Sequence, residues 1–226
     1  MQQTKVVITL SRQVGAGGAP IGRKVAARLG FKYVDREILG RAARRIWQDE
    51  KNLKNREERI SGVWEDLLQV FSIGTPEAAY PLPGACQIIT DRDLFELEAD
   101  VIHQMSDEYD SVIVGRGGFW ILRNHPGLLS VFLHSDPNFR AETIRQHLQL
   151  PGHPEALDLL QTLDRQREKF VRSMTGVQWR EPGHFHLCID SGRIPEDAVV
   201  DLIVRCAAAV REKITWRDTT PEGRVE

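Results

Sequence analysis

An α/β fold with a mostly parallel central sheet follows from two features of this 226-residue sequence. Five short β-branched and apolar runs, bounded by turn residues, read as buried strands. Stretches in which apolar residues recur with helical spacing lie between them. Strands alternating with helices build a parallel sheet covered by helices on its faces.

Lys5–Leu10 is the first strand. Ile21, Val25, Ala26 and Leu29 stand at i, i+4, i+5 and i+8, which predicts a helix that Gly30 stops. Lys32–Val34 is the second strand. From about Gln48 to Thr90 the rhythm breaks: a charged helical stretch, Asp49–Arg59, leads through Trp64–Phe71 into a Pro/Gly-rich run, Thr75 to Gly84. Residues 48–90 are therefore expected to form a helical insertion with a loop that covers substrate. Leu94, Leu97, Val101 and Ile102 mark a helix, and Ser111–Val114 and Leu129–His134 the third and fourth strands. Residues 137–150, 155–173 and 195–213 read as helices, with Leu187–Asp190 as the fifth strand before the last of them. Pro137 after Asp136, and Pro195 before Glu196 and Asp197, suit helix starts. A single domain is expected over residues 1–216, with a frayed polar tail over 217–226.

A hydrophobic fraction of 41%, with Lys+Arg at 30 against Asp+Glu at 32, excludes collagen-like, coiled-coil, disulfide-framework and mainly disordered chains. No apolar run approaches the roughly 18 residues of a membrane span, and Met1-Gln2-Gln3-Thr4-Lys5 has no signal-peptide pattern. A cytoplasmic protein is expected, with no membrane partner, as monomer or homodimer. Cys86, Cys188 and Cys206 are odd in number and widely spaced, fitting reduced structural thiols. The net charge of −2 gives no support for nucleic-acid binding, yet it conceals an asymmetry: residues 1–45 carry ten Lys/Arg against two acids, +8, leaving −10 on the remainder.

That basic segment holds the strongest local signal, a strand, a Gly-rich turn and a helix running from Val6 through Arg12, Gly15, Gly17 and Gly18 to Lys24. Successive backbone N–H groups at the positive end of a helix make an anion site suited to phosphate. The dinucleotide fingerprint is excluded, since its third glycine falls on Pro20. The standard ATP loop G-x-x-x-x-G-K-[ST] also fails: with Gly17 as its last glycine, Arg12 stands at the first glycine, Gly18 at the lysine and Ala19 at the hydroxyl. The alternative is a tight turn without a ligand. Arg12, Arg23 and Lys24 can supply the charge the missing lysine normally provides, although the last two also suit a solvated helix face.

Ile8 to Gly18, then Tyr33-Val34-Asp35-Arg36-Glu37-Ile38-Leu39, Val112 to Gly117, Asp164-x-x-Arg167 and Leu187 to Asp190 together resemble the cytidylate kinase-like family of P-loop proteins, in order from about Lys5 to Arg211. The resemblance implies the nucleoside monophosphate kinase fold: a five-stranded parallel sheet flanked by helices, a phosphate loop after strand one, an acceptor-binding insertion and a lid at about 151–182. Against the family's Gly-Pro-Ser-Gly-Ala-Gly-Lys-Gly-Thr, Gly15, Ala16 and Gly17 match, while Gly18 replaces the lysine and Pro20 the threonine. The resemblance makes Arg12, Gly15, Ala16, Gly17, Gly18 and Ala19 the cofactor-binding set. It places Asp35 near the metal or acceptor hydroxyl and Arg41 on the acceptor phosphate; Asp35 also suits a helix cap. Asp91-Arg92-Asp93 resembles the family's Val-Arg-Glu, making Arg92 a second acceptor-phosphate residue, or else an exposed first-turn residue. Gly115-Arg116-Gly117 resembles Gly-Arg-Asp and keeps only the arginine, at the carboxyl end of a strand where open α/β sheets bind ligands. In the lid pattern Arg-x-x-x-Asp-x-x-Arg, Asp164 and Arg167 match and Leu160 replaces the first arginine; the alternative is a solvated helix face.

Phosphoryl transfer requires in-line positioning and positive charge on the equatorial oxygens. Arg116 and Arg167 accordingly suit catalysis; the resemblance adds Asp35 to the expected catalytic residues and implies Arg41, Arg92 and Asp164 on the substrate, with ATP and Mg2+ as cofactors. Asp35 is the expected metal residue, directly or through water. Two functions remain open at this point: an ATP-dependent kinase of a nucleoside monophosphate such as CMP or a related acceptor, and a catalytically inactive nucleotide-binding regulator or scaffold. They differ in what Gly18 and Pro20 imply. His184, His186 and Cys188 alternate like a partial zinc set without an evident fourth ligand. Trp47, Trp64, Trp120 and Trp179 suit packing, with Trp64 or Trp179 also able to stack on a base.

Overall fold

The computed structural model describes residues 3–36, 38–40, 42 and 91–219. Arg41, the expected insertion at 48–90 with Trp64, Cys86, and the tail beyond Thr219 lie outside the described residues. Five strands form one sheet in the order β2-β3-β1-β4-β5: β1 (Val7–Arg12), β2 (Lys32–Val34), β3 (Ser111–Val114), β4 (Leu128–His134) and β5 (Leu187–Asp190). All four pairings are parallel. The helices are α1 (Gly18–Leu29), α2 (Asp91–Glu108), the single turn α3 (Gly118–Ile121), α4 (Pro137–Leu148), α5 (His153–Thr175) and α6 (Glu196–Thr219). A helical stretch also begins at residue 36.

Period-two alternation sends successive strand residues to opposite faces. Ile8, Leu10, Val112, Val131 and Leu133 pack with Ile21 and Val25 of α1 and Val199 and Ile203 of α6. Val7, Val34, Ile113 and Leu128 face the other way, onto Leu97, Val101, Ile102 and Met105 of α2. Both faces are covered, so these strands read as continuous apolar runs rather than alternating ones. Each fully buried Ile or Leu contributes about 1.5–3 kcal/mol.

The expected strands stand where sequence put them, with one shift that matters. The first strand runs two residues further at its carboxyl end, because Ser11 and Arg12 continue the ladder opposite Phe132 and Leu133. Their polarity conceals the strand's end in the sequence, and pairing on β4 decides it. Asp136 caps α4 through the amide of Asn138 at 2.8 Å, with Pro137 in the first turn. Gly30 closes α1 in the left-handed conformation. The last helix continues to Thr219, beyond the expected 213. Among the described residues no helix is long and apolar enough to cross a membrane.

β1 lies centrally, and the chain leaves it for β2 and β3 on one side and for β4 and β5 on the other. That reversal opens a crevice beyond the carboxyl end of β1, where open α/β sheets take ligands.

Candidate active site

The turn from β1 to α1 occupies this crevice. Gly15 and Gly17 take the left-handed conformation, φ +77° and +72°, and a Cβ on Gly15 would stand 2.5 Å from the carbonyl oxygen of Arg140. Only glycine meets both demands at position 15.

Every second carbonyl of the loop is held by a donor from elsewhere in the chain. Arg167 Nη1 donates to Arg12 O at 2.7 Å, Arg140 Nη1 to Val14 O at 3.1 Å, and Ser191 Oγ to Ala16 O at 2.9 Å. The amide of Val14 donates to Asp164 Oδ1 at 3.0 Å, while Asp164 Oδ2 pairs with Arg140 at 2.7 Å. Arg140 and Asp164 are each only 4% exposed. This buried pair grips both polar groups of Val14 and fastens α4 and α5 to the loop. Asp164, expected on the substrate, thus has its oxygens directed at the loop's foundation and lies outside the walls of both cavities described below. Within the expected lid at 151–182, α5 meets the loop at this pair.

Beside the loop, β3 ends in three successive left-handed residues: Gly115, Arg116 and Gly117, φ +85°, +55° and +70°. The non-glycine among them costs roughly 1–2 kcal/mol in backbone energy. Its side chain is locked: Arg116 Nε donates to Glu98 Oε2 at 2.5 Å, Nη2 reaches the same carboxylate, and the guanidinium lies 4.4 Å from the centre of the Phe170 ring. Glu98, on α2, is 1% exposed. Sequence reasoning missed it, although the signal was present: Glu98 interrupts the apolar face formed by Leu94, Val101, Ile102 and Met105 at i−4, i+3, i+4 and i+7. Arg140 was missed for a different reason, since nothing in its local sequence distinguishes it from a solvated helix arginine.

Two cavities meet here. The larger, about 390 Å3, has Arg12, Arg36, Arg116 and Arg167 among its walls, facing aromatic surface from Phe119, Phe170 and Trp179. The smaller, about 190 Å3, lies over the loop and is walled by Gly15, Gly17, Gly18 and Ala19 together with Thr143 and His147. Arg12, Val14 and Arg167 belong to both. Trp179 is buried, and Arg167 and Arg180 approach its ring at 5.7 and 5.4 Å. Ala16 lines neither cavity and serves the loop through its carbonyl.

Other expected residues stand elsewhere. Asp35 caps the stretch beginning at residue 36 by accepting from the Ile38 amide at 3.2 Å, and its second oxygen faces Arg23 at 3.8 Å. Neighbouring Tyr33 has its phenol pushed above the ordinary range, by burial first and then by the negative charge of Asp35. Arg92 is 82% exposed, pairs with Glu96 at 3.4 Å and lines neither cavity. No carboxylate stands among the described walls of either cavity, and no group of three or more His, Cys, Asp or Glu among the described residues could hold a metal ion. Asp35, the expected metal residue, has one oxygen on its cap and the other toward Arg23. His186 Nδ1 accepts from the Ser130 amide at 3.0 Å and His184 packs on Phe119 and Trp120. Cys188 and Cys206 are free thiols.

A parallel sheet with β1 at the switch point, a glycine loop leading into α1 and arginines converging on that loop define a P-loop kinase fold. The comparisons agree with this class. The model of the cytidylate kinase-like family matches residues 7–193, and the chain belongs to that family. Among curated proteins none matches the chain. The crystal structure of an uncharacterized protein from Eubacterium ventriosum is similar at a TM-score of 0.67 and 17% identity, over 91% of this chain and 99% of that one. A gluconokinase from Sinorhizobium meliloti is similar at 0.51 and 17%, over 95% of this chain and 98% of that one. At such identities these structures speak to the fold.

Proposed function

We propose that this protein is an ATP-dependent phosphotransferase that moves the γ-phosphate to a nucleoside monophosphate such as CMP or to a related small phosphorylated acceptor. The observation carrying this reading is the junction of two cavities on one set of residues. The smaller lies over the glycine loop, suited to the donor's phosphates; the larger combines arginines with aromatic walls, suited to an anionic acceptor with a planar ring. Transfer needs the two ligands to face each other in line. An acceptor phosphate oxygen bonds to the γ-phosphorus as the bond from that phosphorus to the β–γ bridging oxygen breaks, and ADP leaves with that oxygen.

In this scheme Arg116 and Arg167 carry positive charge to the transferring group. Arg36, which lines the larger cavity, is the described residue for the acceptor's anionic end in place of Arg92. Arg41 keeps its expected role there as a proposal from the family resemblance. Mg2+ accompanying the nucleotide would be held by phosphate oxygens and water rather than by a described carboxylate.

A thermal-shift screen of nucleotides, with and without Mg2+, tests the reading. A nucleotide at a hundred times its Kd stabilises the folded state by about 2.7 kcal/mol, so ATP and one monophosphate should each raise Tm by several degrees. No shift with any nucleotide would refute it.

A further inference from the structure

We propose that Arg12, the last residue of β1, takes the place of the lysine that the loop lacks, and that position 18 is glycine to let it do so. The inference rests on the reading of the loop as a phosphate site. Position 18 is where the standard ATP loop carries the lysine that reaches the β- and γ-phosphates. Gly18 is not among the residues with positive φ, so its backbone does not demand glycine. The demand is steric: a Cβ at position 18 would stand 2.6 Å from Arg12 Cγ and 2.9 Å from Cδ. The stem of Arg12 fills the space into which a side chain at 18 would begin. Its head continues across the crevice to Gly115, where a Cβ would collide with Arg12 Nη1. Two glycines on separate elements thus frame one arginine, which borders the cavity over the loop and the larger cavity alike. The cation enters from the strand before the loop instead of from the helix after it, and its permanent charge and forked donors suit two phosphate oxygens at once.

The experiment uses the full chain, inorganic tripolyphosphate as the probe and titration calorimetry as the readout. Four variants are needed: Arg12→Ala, Arg12→Gln, Gly18→Lys and the exchange Arg12→Ala/Gly18→Lys. Wild type should bind tripolyphosphate, and Arg12→Ala and Arg12→Gln should each bind it at least tenfold more weakly. Arg12→Gln keeps most of the stem and decides the matter if Arg12→Ala does not fold. Gly18→Lys alone should lower both affinity and Tm through the clash, while the exchange should return affinity to within a few-fold of wild type. The proposal is overturned if wild type does not bind the probe, if Arg12→Gln binds it as wild type does, or if the exchange binds no better than Arg12→Ala. Arg12-dependent binding without phosphate transfer from ATP would sink the phosphotransferase reading and leave this one standing; transfer indifferent to Arg12 would do the reverse.

Discussion

Replacing Asp164 with alanine separates two roles for a residue that the family pattern places on the substrate. Its carboxylate accepts from the Val14 amide and pairs with Arg140, and both members of the pair are almost wholly buried. Arg180 stands 3.6 Å from the same carboxylate but is 46% exposed, so its share is small. Asp164→Ala leaves a buried guanidinium without its counter-charge, a loss of about 3–5 kcal/mol for pairs of this kind. In a chain of this size each kcal/mol lowers Tm by about 2–4 °C, giving a drop of roughly 6–20 °C. Thermal melts followed by far-UV circular dichroism, with urea titrations to check that m is unchanged, measure it. The apolar replacement Arg140→Met/Asp164→Leu should recover only the part due to the stranded charge, because the Val14 amide and carbonyl then lose the partners the pair gave them. If Asp164→Ala melts within 2 °C of wild type while nucleotide affinity collapses, the carboxylate belongs to the ligand site and the reasoning fails.

Gly15→Ala should destabilise the protein by more than about 1 kcal/mol, since alanine is strained at φ +77° and its methyl meets the Arg140 carbonyl; equilibrium unfolding in urea checks this, and an unchanged midpoint contradicts it. Glu98→Ala strands Arg116 and should cost about 3–5 kcal/mol, whereas Arg116→Met/Glu98→Leu should fold with near-normal stability and lose phosphate transfer. His125 is held below its ordinary pKa by burial, and its Nδ1 accepts from the Gly127 amide at 3.1 Å, which requires the neutral ring. The folded state therefore takes up a proton less readily than the unfolded chain. Its contribution is complete above the unfolded pKa, about 6.5, and is lost as pH falls through the lower folded value. Between pH 8 and 5 wild type should lose about 1 kcal/mol more stability than His125→Asn, the worth of one such hydrogen bond; parallel slopes would contradict it.

Strand positions were legible because buried parallel strands announce themselves as apolar runs, and the loop because glycines and a following helix period mark it. What remained hidden was long-range. Arg140 and Arg167 look alike in sequence, yet one is buried on Asp164 and the other holds the Arg12 carbonyl. Asp35 shows how one motif admits two readings: its position before Arg36 and Glu37 suits both metal binding and capping, and one of its oxygens accepts from the Ile38 amide as a cap. Gly18 reads as a missing lysine in one dimension and as room for Arg12 in three. The charge of residues 1–45 pointed to the right region, but its residues part company there: Arg12 and Arg36 line the larger cavity, whereas Arg28 pairs with Asp201 and Lys24 with Asp197 on α6.

The central claim is that phosphate passes between two ligands across this crevice. Incubation with γ-labelled ATP and a panel of nucleoside monophosphates and other phosphorylated acceptors measures that directly. Label should appear in one acceptor with wild type and be lost with Arg116→Ala. Tight nucleotide binding with no acceptor labelled would contradict the claim and leave a nucleotide-binding protein without transfer activity.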